Sequence, residues 1–263
     1  TPTGYSRGLE ITARRWVTRL RWRMVRVVFG PSPTGLSRLS GLRELSYLHP
    51  LMLYYRDELV EIHLGDCREI LPGLPQVDLV LTDPPYGIGV TRMKLGNRKV
   101  KPLYRGSGHW DDAPPRSPDL NLIIKHGKDA VIWGGNFFLL PVSRGWLVWD
   151  KLNGGTDFAD CELAWTTRDA PIRIRRISWN GANAKERLDR DRYHPTQKPV
   201  ALMRWCIEFF PAAATVLDPF MGSGSTLRAA KDLGLRAIGI EIEERYCEIA
   251  ARRMAQLTLQ IGM

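Results

Sequence analysis

From Pro199 onward the hydrophobic pattern of the chain switches period repeatedly, and few folds accommodate that. Leu202, Trp205, Cys206, Phe209 and Phe210 fall at helical spacing behind Pro199, a residue suited to a first helical turn. Val216 and Leu217 then read as a buried strand, 225–233 as a helix and 237–242 as another strand. A long helix over 243–259 follows, with Tyr246, Ile249, Ala250, Met254 and Leu257 along one stripe. Strand, helix, strand, helix in units of this length implies parallel strands joined by right-handed crossovers. The expected fold class is α/β, built on a doubly wound sheet.

Upstream, 59–64 and 77–82 are short apolar runs with β-branched content, followed by Asp66 and Asp83. Residues 130–133, 146–149 and 163–167 read as further strands bounded by turn residues, and 118–126 as a helix. Ligands of doubly wound folds sit at the carboxyl ends of the strands, near the point where the strand order reverses. Asp66, Asp83, Asp218 and Glu241 each fall at or just past a predicted strand end, which aims all four at one crevice. The competing reading for any single acid is that it caps the helix that follows.

Two turns stand out among these strand ends. Thr82-Asp83-Pro84-Pro85-Tyr86-Gly87 is acidic, stiffened by proline and closed by an aromatic ring, which suits a flat substrate bearing an amino group. Asp218-Pro219-Phe220-Met221-Gly222-Ser223-Gly224-Ser225-Thr226 offers two glycines for close approach of a ligand and helix-opening amides that can hold an anion. It lacks the lysine of a phosphate-binding P-loop, which disfavours nucleoside triphosphate hydrolysis. Glu241 follows Gly224 at the end of the next strand, where an acid can accept both ribose hydroxyls of an adenosyl group.

Composition bounds the rest. The 263 residues, 44% hydrophobic and 25% charged, suffice for one good core. The four cysteines form no CxxC pair, which argues against a structural zinc site and a disulfide framework, and no apolar run reaches the roughly 20 residues of a membrane helix. A cytoplasmic protein with no metal and no membrane partner is expected. The formal charge of +10 is concentrated: residues 1–51 hold nine arginines against Glu10 and Glu44, so the remaining 212 residues are only mildly basic. We therefore expect 1–51 to be a basic, poorly ordered extension and 52–263 a single catalytic domain, since Met52 precedes the first well-patterned segment. A phosphate-gripping arm and a targeting peptide are the competing readings of the extension.

Asp83-Pro84-Pro85-Tyr86, His194-Pro195-Thr196-Gln197-Lys198-Pro199 and the Asp218 to Gly224 run together resemble the three signature motifs of the S-adenosylmethionine-dependent DNA amino methyltransferases, which act on adenine N6 or cytosine N4. The resemblance spans residues 58–260. Its order, catalytic motif before cofactor motif, matches the circularly permuted β group and implies a Rossmann-like sheet, mostly parallel with an antiparallel strand. It implies S-adenosylmethionine as cofactor and double-stranded DNA as partner, and it is compatible with a homodimer and with a restriction endonuclease on a separate chain. In-line methyl transfer to an exocyclic amine needs positioning and an acceptor for the amine hydrogens. The resemblance assigns that acceptor to Asp83 with the Pro84 carbonyl, on a turn stiffened by Pro84 and Pro85, and gives Tyr86 the stacking of a flipped base. It places the methionine moiety on Asp218, Phe220, Gly222, Gly224, Ser225 and Thr226, with Thr196 and Lys198 near its carboxylate. The ribose falls to Glu241 and the adenine edge to Asp66. Adenine is the favoured base, because the Asp-Pro-Pro-Tyr form is commoner among adenine N6 enzymes.

Two basic segments remain for DNA. Residues 91–112 follow the catalytic turn and suit contact with strand phosphates, and 168–193 mix arginines with Trp179 and Asn180 in a way that suits base readout; a solvated charged face is the alternative for either. A non-catalytic DNA-binding relative is the runner-up function, disfavoured by the intact acid, prolines, tyrosine and glycine turn.

Overall fold

The structure, a computed structural model, describes residues 53–88, 113–154, 159–178 and 197–256. Its strands are β1 (Leu53–Arg56), β2 (Val60–Leu64), β3 (Val77–Thr82), β4 (Gly127–Trp133), β5 (Trp146–Asp150), β6 (Cys161–Thr166), β7 (Arg173–Arg176), β8 (Thr215–Asp218) and β9 (Arg236–Glu241). Its helices are α1 (Cys67–Ile70), α2 (Ser117–Lys125), α3 (Val200–Glu208), α4 (Ser225–Asp232) and α5 (Glu244–Ala255). The strands form one sheet in the order β1-β2-β9-β8-β3-β4-β6-β5-β7.

The central strands are apolar on both faces because helices cover both. Val80, Ala130, Ile132, Leu217 and Ile240 pack with Leu120 and Ile123 of α2 and Cys67 and Ile70 of α1. The alternate positions Leu79, Leu81, Val131, Trp133 and Val216 face α3, α4 and α5 through Leu202, Cys206, Leu227, Ala250 and Met254. Period-two alternation along strands buried on both sides gives the near-continuous apolar runs seen in the sequence. Local chemistry sets the helix starts: Pro199 caps α3 in extended backbone, and Gly224 opens α4 with φ of 80°.

The α/β class and the mixed, mostly parallel sheet match expectation, with one correction. Seven strands run one way, but two, β1 and β6, run against them; β6 pairs antiparallel with both β4 and β5. The expected single antiparallel strand undercounts because β1 is only four residues long and ends in a charged residue. β7 is the all-exposed Arg-Ile-Arg-Arg run, which pairs parallel with β5 at the sheet edge. The strands otherwise fall within a few residues of the sequence pattern.

The pairing of β3 with β8 fixes the functional geography. From β3 the chain returns through α2 to β4 on one side, and from β8 it returns through α4 to β9 on the other. The strand order therefore diverges between β3 and β8, and their carboxyl ends carry Asp83 and Asp218. Leu217, fully buried in β8, lies at this junction. Leu217→Ala should lower unfolding free energy by about 2–5 kcal/mol with little change in denaturant slope. A urea titration showing a loss below about 1 kcal/mol would remove β8 from the centre of the core.

Candidate active site

A cavity of about 450 Å³ opens at the carboxyl ends of β2, β3, β8 and β9. Asp66, Asp83, Asp218 and Glu241 all border it, so the four strand-end acids do converge. Pro85, Lys198, Phe220, Gly222, Ser225 and Thr226 border it too. Thr196, with His194 and Pro195, lies outside the described residues, as do residues 89–112 and 179–196.

The acids behave differently once their partners are known. Asp218 is buried and faces inward: its Oδ1 accepts from the Thr82 hydroxyl at 2.7 Å and from the Phe220 N–H at 3.1 Å. It ties the glycine turn to the end of β3. Burial pushes its pKa up to about 6, against the pull of these hydrogen bonds. Glu241 accepts from the Gly222 N–H at 3.0 Å on one oxygen and from the Glu243 N–H at 2.8 Å on the other, and each oxygen keeps a second lone pair for a ligand. Burial raises its pKa to about 7 despite those donors. Asp66 is the helix cap that the competing reading anticipated, accepting from the Arg68 N–H at 2.9 Å and pairing with the Arg68 guanidinium.

The glycine turn has the cradle shape its sequence suggested. Gly222 and Gly224 take φ of 50° and 80°, in the left-handed region that side chains disfavour. A Cβ on Gly222 would point into open space, whereas one on Gly224 would meet the Ala250 Cβ at 3.0 Å. From beneath, the buried Arg253 of α5 donates to the Ser223 carbonyl at 2.6 Å, and the Ser223 hydroxyl donates to Gln197 at 3.1 Å. The Ser225 hydroxyl, buried at the cavity wall, has no hydrogen-bond partner among the described residues. A small polar ligand in the cavity would satisfy it.

The Asp83 turn is organised by a residue assigned elsewhere. Lys198 borders the cavity; its ammonium donates to Asp83 Oδ2 at 2.7 Å and to the Tyr86 hydroxyl at 3.2 Å, and it lies 3.0 Å from Glu162 Oε2. The Tyr86 hydroxyl donates to the other Asp83 oxygen at 2.6 Å. Burial opposes the Lys198 charge, but Asp83, Tyr86 and Glu162 together outweigh it and hold the lysine pKa well above its ordinary value. Burial also moves the Asp83 carboxyl above the usual aspartate range, with Lys198 pulling the other way. Tyr86 stacks on Phe137 with ring centroids 4.9 Å apart, and Gly134, at φ of 69°, leaves room at its edge: a Cβ there would fall 2.2 Å from Tyr86 Cε1.

Glu162, Lys151, Phe137, Gly134 and Arg253 went unassigned in the sequence. Glu162 sits one position before the apolar run 163–167, and β6 begins at Cys161. Within 168–193, the Arg168 guanidinium packs 4.6 Å over the Phe209 ring, and the exposed Arg176 pairs with Asp150 at 3.2 Å. Arg173 and Arg175 are exposed.

Comparison with known proteins bears on the family of the chain. A family model described as DNA methylase, of the N6/N4 class, matches residues 132–252. "Putative methylase YubD" of Escherichia coli K12 is 30% identical over 223 residues, which cover 75% of this chain and 92% of that protein. "Type II methyltransferase M.HinfI" of Haemophilus influenzae is 27% identical over 251 residues, covering 76% of this chain and 70% of that protein. Among solved structures, the M1.HpyAVI-SAM complex aligns with a TM-score of 0.48 at 21% identity, over 75% of this chain and 100% of that one. The likeness to YubD over nearly its whole length, joined to the family match, shows that the chain belongs to the N6/N4 family of DNA amino methyltransferases.

Proposed function

We propose that the protein transfers a methyl group from S-adenosylmethionine to the exocyclic N6 of an adenine flipped out of double-stranded DNA. The observation that carries this reading is the single cavity bordered by both Asp83 and Glu241. Its volume of about 450 Å³ lies within the usual range for small-molecule sites, about 300–1,000 Å³. The residues present fit such a cofactor: the Glu241 carboxylate has free lone pairs for two ribose hydroxyls, and Gly222 admits close approach. Ser225 offers an unpartnered hydroxyl. When bound, the cofactor supplies an electrophilic methyl on a sulfonium.

The chain's own residues then supply position and polarity. Asp83 accepts a hydrogen bond from the target amine and turns the nitrogen lone pair toward the cavity, with the Pro84 carbonyl as second acceptor. The proton leaves after attack, so Asp83 acts as an ionised acceptor rather than as a strong base. Phe137 stacks on the Tyr86 ring and holds its plane, and the reading gives that ring the stacking of the flipped base. Adenine is supported over cytosine by the aspartate that opens the turn, a feature commoner among adenine enzymes of the family.

Asp83→Ala should abolish transfer of labelled methyl to DNA while cofactor affinity, measured by calorimetry, stays within a few-fold of the unaltered protein. Substantial transfer by this variant would show the acceptor is misassigned. Gly134→Ala strains a left-handed backbone position and drives a methyl group into Tyr86, so transfer should fall by about 10²-fold or more with cofactor binding retained. Unchanged turnover would mean that Tyr86 need not hold this position.

Glu241 gives a signed pH dependence. Its folded pKa of about 7 exceeds the ordinary 4.5, so the folded chain keeps the proton longer and loses stability from this group as pH rises between those values. The ionised form that accepts hydroxyl donors dominates only above that window. Cofactor affinity should therefore rise about tenfold from about pH 6 to about pH 8 and be flat across it in Glu241→Gln. An equally steep rise in the variant would assign the titration to another group.

A further inference from the structure

Behind the Asp83 turn lies a row of alternating charges that the methyl-transfer chemistry does not itself require. Lys198 Nζ is 2.7 Å from Asp83 Oδ2 and 3.0 Å from Glu162 Oε2, and Lys151 Nζ is 2.5 Å from Glu162 Oε1. The lysine at the centre is 5% exposed, and the outer pair are 22% and 16% exposed. Glu162 comes from β6 and Lys151 from the turn after β5, so the row crosses three segments far apart in sequence. Trp149 and Trp133 wall it in, with Lys151 5.2 Å from the first ring and Lys198 5.9 Å from the second. Neither Glu162 nor Lys151 borders the cavity.

Two anions and two cations make the row neutral overall, and each charge lies within ion-pair distance of an opposite one. Burying one ion pair is costly, and extending it to four alternating charges shares the desolvation cost. Lys198 is thereby divided between two carboxylates. With Asp83 as its only anionic partner, the ammonium would hold the acceptor oxygen that the target amine must reach. With Glu162 drawing on the other side, it stays fixed while Asp83 keeps a lone pair toward the cavity.

We propose that Glu162 and Lys151 are positioning residues that act on Asp83 through Lys198, setting the ionisation of the acceptor and the orientation of the ammonium against it. This rests on the reading of Asp83 as the amine acceptor. The charges of the row require the two residues to act with opposite sign. Loss of Lys151 leaves a net negative row that favours protonation of Asp83; loss of Glu162 leaves a net positive row that opposes it. Lys198 and Glu162 titrate far from neutrality, the lysine held up by Asp83 and the glutamate, despite its burial, held at about 2 by Lys198 and Lys151, so both stay charged through the working range. Among the described residues, the other charged groups bordering the cavity with Asp83 are Asp218 at the end of β8, Glu241 and Glu243 at and after the end of β9, the Asp66–Arg68 pair at the start of α1 and the Arg116–Asp119 pair at the start of α2. These are common to every variant compared.

The test is the acid limb of single-turnover methyl transfer to DNA at saturating cofactor, in the full chain and in Lys151→Met, Glu162→Gln and the double variant. The limb should move up by about one pH unit in Lys151→Met, move down by a similar amount in Glu162→Gln and return toward its original position in the double variant. Cofactor affinity should stay within about twofold throughout, since neither residue borders the cavity. A purely structural role predicts lower rates with an unmoved limb; that outcome, or a shift of the same sign in both single variants, overturns the proposal while Asp83 keeps its assignment. Transfer that survives Asp83→Asn with an unchanged acid limb overturns both readings. Lys151→Met carries the test alone if Glu162→Gln fails to fold.

Discussion

The parallel pairing of β3 with β8 is the constraint from which the site follows. Leu79 and Val80 lie beside Val216 and Leu217, some 130 residues later in the chain, and the two strands end together. The Asp83 turn and the Asp218 turn are thus neighbours by sheet geometry, stitched by the Thr82 to Asp218 hydrogen bond at 2.7 Å. A one-residue slip in that register would turn the fully buried Leu79, Val80 and Leu217 to the wrong faces, so the hydrophobic core enforces the alignment of the site. The strand order diverges at this junction, which leaves the crevice that the cavity fills.

Burial then sets the chemistry at each strand end. Glu241 and Asp218 are both raised by desolvation, yet Asp218 turns inward to hold the glycine turn while Glu241 keeps acceptor capacity toward the cavity. Asp83 differs from both in having a buried cation beside it. An isolated carboxylate at this depth would favour its neutral form; the Lys198 ammonium beside Asp83 opposes that, while the Glu162 charge favours it. The aromatic side of the site is equally prepared, since Phe137 and the glycine at 134 hold the Tyr86 ring before any base arrives.

Much of this was legible in the sequence because it depended on local pattern. Acids at the ends of β-branched runs, a proline-stiffened turn and two glycines before a helix are short-range signals, and Asp83, Glu241, Gly222 and Gly224 stand where those signals put them. Asp66 shows the limit of the rule: an acid past a strand end is also a helix cap, and its Arg68 partner decides which role its oxygens can serve. The bond from Lys198 to Asp83 has no local signal, because nothing near Lys198 in sequence points to a residue 115 positions away. Glu162 was hidden for the same reason, as a strand residue whose value lies in two lysines contributed by other segments. Long-range electrostatic pairing leaves no periodicity to read, whereas hydrophobic register does.

The central claim is that one cavity brings a bound adenosyl cofactor to the amine held by Asp83, and that this amine is adenine N6. Unmethylated DNA incubated with the full chain and labelled S-adenosylmethionine, then digested to nucleosides and resolved by mass spectrometry, tests it most directly. The account predicts label in N6-methyldeoxyadenosine alone. Label in N4-methyldeoxycytidine would contradict the base assignment, and unlabelled nucleosides from a protein that binds the cofactor would contradict the active site itself.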